Sequence, residues 1–221
     1  HGLSLGALAA TGRTGFRTPY APMLPESHHI PAPYCYRCSY GLAYPSCGLR
    51  CAEALDELIL DLGPATVSAF VAETVSGATI AAVIPPKGYF GRIREICDRH
   101  GVLLILDEVL CGLGRTGRWF ASEHFGVVPD LVTMGKGLAG GSIGLSAVGV
   151  QNRWFDAVRT GSGAFVHGGT FSHHQVACAA GNAVLDILER EALVPRVASL
   201  GAQLGQMLHQ RLGSHPHVGD I

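Results

Sequence analysis

The run "VLLILDEV", Val102 to Val109, constrains this chain more than any other stretch. Five consecutive apolar residues end in two acids. A strand with one wet face would alternate apolar and polar residues, so an unbroken run requires cover on both faces, as in a parallel sheet sandwiched by helices. The neighbouring patterns supply that cover. "AEALDELILDLG" is an amphipathic helix closed by Gly63, and "YFGRIREICDRHG" spaces Phe90, Ile93 and Cys97 at helical intervals before stopping at Gly101. "VSAFVAE", "DLVTM" and "LSAVGV" read as further strands, and "HQVACAAGNAVLDILEREAL" as a long helix with Val176, Ala180, Val184 and Ile187 on one stripe. Strands alternating with helices predict an α/β layered domain with a mostly parallel central sheet flanked by helices.

The expected organisation has three parts. Residues 1–50 carry Pro19, Pro22, Pro25, Pro31, Pro33 and Pro45 and read as an irregular Pro- and Cys-rich excursion with few regular elements. Residues 51–192 are the α/β core, and residues 193–221 begin a connection to a further domain. The chain starts at His1 without the basic stretch of a signal peptide and reads as an internal piece of a longer polypeptide. Of its 221 residues 48% are hydrophobic and 15% charged, which is enough apolar material for a large core and excludes a disordered chain. A formal net charge of −1 leaves no basic footprint for nucleic acid, and no apolar run reaches membrane-spanning length. Seven cysteines without a secretion signal read as free thiols in a reducing cytoplasm. Four of them, Cys35, Cys38, Cys47 and Cys51, have a spacing that could close a zinc site; unpaired thiols are the preferred reading, with no metal.

Ligands of such sheets sit at the carboxyl ends of strands, which directs attention to Glu73, Asp107, Glu108 and Lys136. Three motifs compete with them. "GLGRTG" and "GKGLAG" both fit a dinucleotide-binding glycine pattern, but neither opens a helix nor is followed by a ribose-binding acid. "GGSIG" fits a nucleophile elbow, which permits a serine hydrolase using Ser142 with Asp156 or Asp186 and His209, although a strand follows where a helix is needed. A salt bridge between Asp107 and Lys136 is the plainest reading of the acid and the amine. The chemical reading is pyridoxal phosphate. This cofactor needs a lysine amine to condense with its aldehyde and an acid at the far end of its ring to keep the nitrogen protonated. Glycines around Lys136 give it room.

The ordered series in "LLILDEVLCGLGRTGRWFASEHFGVVPDLVTMGKGLAGG" resembles the class III pyridoxal-phosphate-dependent aminotransferases. "VAETVSGA" resembles that family's earlier glutamate block, "HGGTFSHHQVACAAGNAVLDIL" its later one, and "HGLSLGALAATG" the tail of an aromatic-His-Gly segment. The resemblance implies the large domain of the fold type I architecture. It implies Lys136 as the catalytic and cofactor-anchoring lysine, Asp107 as partner of the ring nitrogen, and Val109 against the ring face. Thr170 would bind the phosphate of a neighbouring subunit in a homodimer, His1 and Gly2 would border the cofactor, and Glu73 would stand on the substrate side. The implied reaction passes an amino group from an amine or ω-amino acid to a keto acid. Leu110, where many relatives have glutamine, points to the amine and ω-amino acid branch. A truncated, non-catalytic piece of the same fold is the remaining alternative.

Overall fold

The computed structural model describes residues 1–221 and divides into two compact units, His1–Asp107 and Glu108–Ile221. The first unit opens with two short helices, α1 (Leu5–Ala10) and α2 (Thr14–Arg17), and has single 3-10 turns at Thr18–Met23, Cys35–Arg37 and Pro64–Thr66. The rest of residues 1–49 is irregular, and Leu8 and Ala9 of α1 are buried. Helix α3 (Arg50–Leu62), strand β1 (Ala69–Glu73), helix α4 (Tyr89–His100) and strand β2 (Leu103–Asp107) follow.

The two helices are amphipathic for the reason their sequences indicate. Ala52, Leu55 and Ile59 of α3 recur on one stripe and are buried, as are Phe90, Ile93 and Cys97 of α4. α3 packs on α4, and α4 packs on β2, whose Leu104 and Leu106 are wholly buried. Polar residues close the rim of the helix pair. Arg92 donates to both carboxylate oxygens of Glu53 at 2.6 and 3.0 Å, and Asp56 meets His100 at 2.7 Å and Arg99 at 3.0 Å. β1 and β2 run parallel, with Ala69 opposite Leu103 and Glu73 opposite Asp107. Both acids thus close their strands at the same carboxyl end.

The second unit contains a 3-10 turn at Ala121–Phe125, strand β3 (Leu131–Met134), a 3-10 turn at Lys136–Ala139, strand β4 (Ala147–Val150) and helices α5 (Asn152–Thr160), α6 (Gln175–Arg190) and α7 (Leu193–Leu212). β4 pairs antiparallel with β3, so the strands are of mixed direction. Buried Asp130, just before β3, accepts from Trp154 Nε1 at 2.8 Å and pairs with Arg153, which fastens the start of α5. α6 packs on the Lys136–Ala139 turn and on α7. A methyl group on Gly181 of α6 would lie 2.8 Å from Leu145 Cδ2, so the bare glycine lets the helix approach closely. No helix is long and apolar enough to cross a membrane.

Candidate active site

In the first unit, the register of β1 and β2 sets Glu73 beside Asp107, and His1 joins them. His1 Nδ1 lies 2.8 Å from Asp107 Oδ2, and its Nε2 lies 3.5 Å from Glu73 Oε1. One imidazole therefore spans two carboxylates. Asp107 is only 5% exposed. A carboxylate that deep is costly unless hydrogen bonds compensate it, and the imidazole lies within hydrogen-bond distance. Glu73 is half-buried, and its Oε1 also accepts from the Gly77 N–H at 3.3 Å. Gly2, with φ of 123°, sits where a side chain would be strained, and a methyl there would lie 3.2 Å from Ala7 Cβ.

In the second unit, Lys136 opens its 3-10 turn with φ of 46°. Such a conformation costs a non-glycine residue about 1–2 kcal/mol, and strain of this kind gathers at functional positions. The lysine is exposed, and no acid of its own unit pairs with it. Gly135, immediately before it, is buried. A methyl group there would lie 3.4 Å from Val109 Cγ1 and 3.8 Å from the Leu145 carbonyl oxygen, so Val109 lines the backbone that carries the lysine. Thr170 lies in an exposed loop, residues 161–174, with its hydroxyl turned to no partner in the chain.

Adjacent acids have separate roles. Glu108, 1% exposed, accepts backbone N–H bonds from Ala121 at 3.0 Å and Ser122 at 2.8 Å. It pins the following turn, which its sequence position beside Asp107 did not reveal. The glycines of "GLGRTG" are structural too. A methyl on Gly112 would lie 2.7 Å from the Glu108 carbonyl oxygen, and one on Gly117 would lie 2.7 Å from Ala198 Cβ. Ser142 donates to the Ala139 carbonyl at 2.6 Å, while His209 contacts the Gly205 carbonyl of its own helix and Asp156 pairs with Arg159. The serine-hydrolase alternative is therefore not assembled. His174 caps α6, its Nδ1 accepting the Ala177 N–H at 3.2 Å.

Comparison with known proteins agrees with this arrangement. The family described as "Aminotransferase class-III" matches residues 1–221. An aminotransferase of Gibberella zeae is 43% identical over all of this chain and 44% of its own length. An (S)-enantioselective omega-transaminase from Thermomicrobium roseum superimposes with a TM-score of 0.92 at 41% identity, over all of this chain and 49% of that one. An amine transaminase from an uncultivated Pseudomonas species, solved in its PLP-bound form, gives 0.93 at 38% identity, over all of this chain and 50% of that one. The chain spans about half the length of these relatives. The fold agrees with the α/β, mostly parallel architecture expected of fold type I.

Proposed function

The chain belongs to the class III aminotransferases, and from that premise we propose that it forms the cofactor-binding part of a transaminase that uses pyridoxal phosphate. The amino group passes from an amine or ω-amino acid to a keto acid. The observation that carries this reading is Lys136: an exposed amine on a strained backbone, with buried Gly135 and Val109 beside it. The residues fit the cofactor chemically. The set contains an amine to anchor an aldehyde, a buried acid to hold a proton on a ring nitrogen, an apolar branched side chain for a ring face and a free hydroxyl for a phosphate.

When bound, pyridoxal phosphate supplies an electron-withdrawing ring that acidifies the substrate carbon bearing the nitrogen. The chain's own residues do the rest. Asp107 holds the proton on the ring nitrogen, and His1 fixes the orientation of the Asp107 carboxylate. Lys136 would anchor the cofactor, and its freed Nζ would take a proton from the substrate carbon as base and, as acid, deliver it to the cofactor's carbon rather than back to the substrate. Val109 packs against the ring, Gly2 leaves clearance beside it, and Thr170 donates to the phosphate of a neighbouring subunit. Glu73 faces the substrate side. In this reading the full-length protein is a cytoplasmic homodimer. Seven free cysteines suit a reducing compartment, and the exposed side chains of Phe165, Val166 and Phe171 around Thr170 suit a subunit contact. Residues 1–192 belong to the large domain, irregular to residue 50 and core from residue 51, and residues 193–221 lead to a small domain.

The test is borohydride trapping of pyridoxal phosphate on the full-length protein, followed by peptide mapping. The cofactor is expected on the peptide carrying Lys136 and nowhere in Lys136→Ala. Trapping at another lysine, or unchanged trapping in the variant, overturns the assignment.

A further inference from the structure

Four cysteines outside the proposed active site share one small cavity of the first unit. Cys35, Cys38, Cys47 and Cys51 line a space of about 20 Å³ together with Tyr34 and Tyr40. That volume admits a water molecule and no substrate. No group of three or more His, Cys, Asp or Glu side chains is arranged to hold a metal ion. The chemistry left to these sulfurs is with one another. Two of them are arranged for it by the backbone. Cys35 opens the 3-10 turn Cys35–Arg37 and Cys38 caps its end. In a 3-10 turn residues three apart eclipse on one face, and the two helical residues between them hold their Cα atoms about 6 Å apart. That is the usual spacing across a disulfide.

We propose that Cys35 and Cys38 form a redox-active dithiol that undergoes thiol–disulfide exchange with low-molecular-weight disulfides of the glutathione class. Cys38 is the attacking residue. The backbone amides of Leu42, Tyr40 and Gly41 point at its sulfur and hold its thiol below the ordinary cysteine range. Cys35 is the resolving residue: it is the more exposed of the two, but slight desolvation and the neighbouring Cys47 and Cys38 sulfurs raise its thiol. In the first step the Cys38 thiolate attacks one sulfur of the small disulfide. That S–S bond breaks, and one small thiolate leaves. In the second, Cys35 loses its proton, attacks the Cys38 sulfur and expels the second small thiolate. Two protein thiols are oxidised to one disulfide, and the small disulfide takes both electrons and both protons to become two thiols.

The digestion pattern makes the test direct. Trypsin cuts after Arg37, between the two cysteines, so the peptides Thr18–Arg37 and Cys38–Arg50 stay joined only through a disulfide. The full-length protein is equilibrated with oxidised and reduced glutathione, quenched in acid, alkylated and digested. The joined pair is expected in wild type, Cys47→Ser and Cys51→Ser and is lost in Cys35→Ser and Cys38→Ser. In native wild-type protein at neutral pH, iodoacetamide is expected to label Cys38 several-fold faster than Cys35, a readout that needs no variant to fold. The proposal is overturned if no joined pair forms at any glutathione ratio or if the pair is lost in Cys47→Ser. It is also overturned if Cys35 labels first, or if added zinc at one equivalent protects all four cysteines from alkylation.

Discussion

Lys136 pays a backbone cost that its side chain must justify. At φ of 46° a glycine would be relaxed, whereas alanine keeps the strain. Lys136→Gly is therefore expected to be more stable than Lys136→Ala by about 1 kcal/mol, read as a higher midpoint of chemical denaturation. Both variants should lose transamination, since each lacks the amine. Equal midpoints would mean that the turn relaxes once the lysine is gone. The positions of Lys136 and Asp107 were legible in the sequence because each follows an apolar strand run, where ligands of α/β sheets gather. The role of His1 was not legible in physical terms. Its partners Glu73 and Asp107 are remote in sequence, and only the parallel register of two strands sets them side by side. Thr170 was legible only by resemblance, because nothing in this chain contacts its hydroxyl.

Among the elements, the α3–α4 pair is the one whose stability should follow pH. The Arg92 guanidinium hydrogen-bonded to Glu53 holds that carboxyl below the usual carboxylate range, and the hydrogen bond from His100 does the same for Asp56. Depressed acids stabilise the fold above their unfolded values and lose that contribution as pH falls through the folded ones. Thermal midpoints should therefore hold steady down to about pH 5 and fall below about pH 4. Glu53→Gln should flatten part of that decline, and an unchanged slope would remove the ion pair from the explanation. A second prediction concerns the "GLGRTG" loop against α7. A methyl on Gly117 would meet Ala198 Cβ at 2.7 Å and Cα at 2.8 Å, and the glycine has φ of 81°. Gly117→Ala should cost about 1–3 kcal/mol in denaturation, because backbone atoms cannot step aside as a flexible side chain would. The helices α3 and α4 were legible from their apolar stripes, whereas α6 was legible as a helix but buries Ala177 and Gly181 and leaves Val176 and Ile187 of the expected stripe exposed. α7 was not legible, because residues 193–221 carried no helical reading and were expected only to begin a connection. Its Pro195 is in the first turn, where a missing N–H does no harm. The antiparallel direction of β4 was hidden as well, since a short apolar run signals a strand without its direction.

At the scale of the whole molecule, each compact unit holds its own share of the proposed machinery. The first contains the acid, the imidazole and Glu73, and the second contains the lysine, Val109 and Thr170. The division falls between two neighbouring acids, Asp107 and Glu108. Asp107 is held by His1 in the first unit, and Glu108 by the Ala121 and Ser122 amides in the second. Removing the Glu108 carboxylate strands two buried N–H groups, at about 1–3 kcal/mol each. A saturation library of both positions would separate them. Sorted for abundance in the cell, it should retain many Asp107 variants and discard most at Glu108. Sorted for turnover, it should discard both. Side by side in the chain, the two acids would then fail in different currencies, one as catalysis and the other as protein yield.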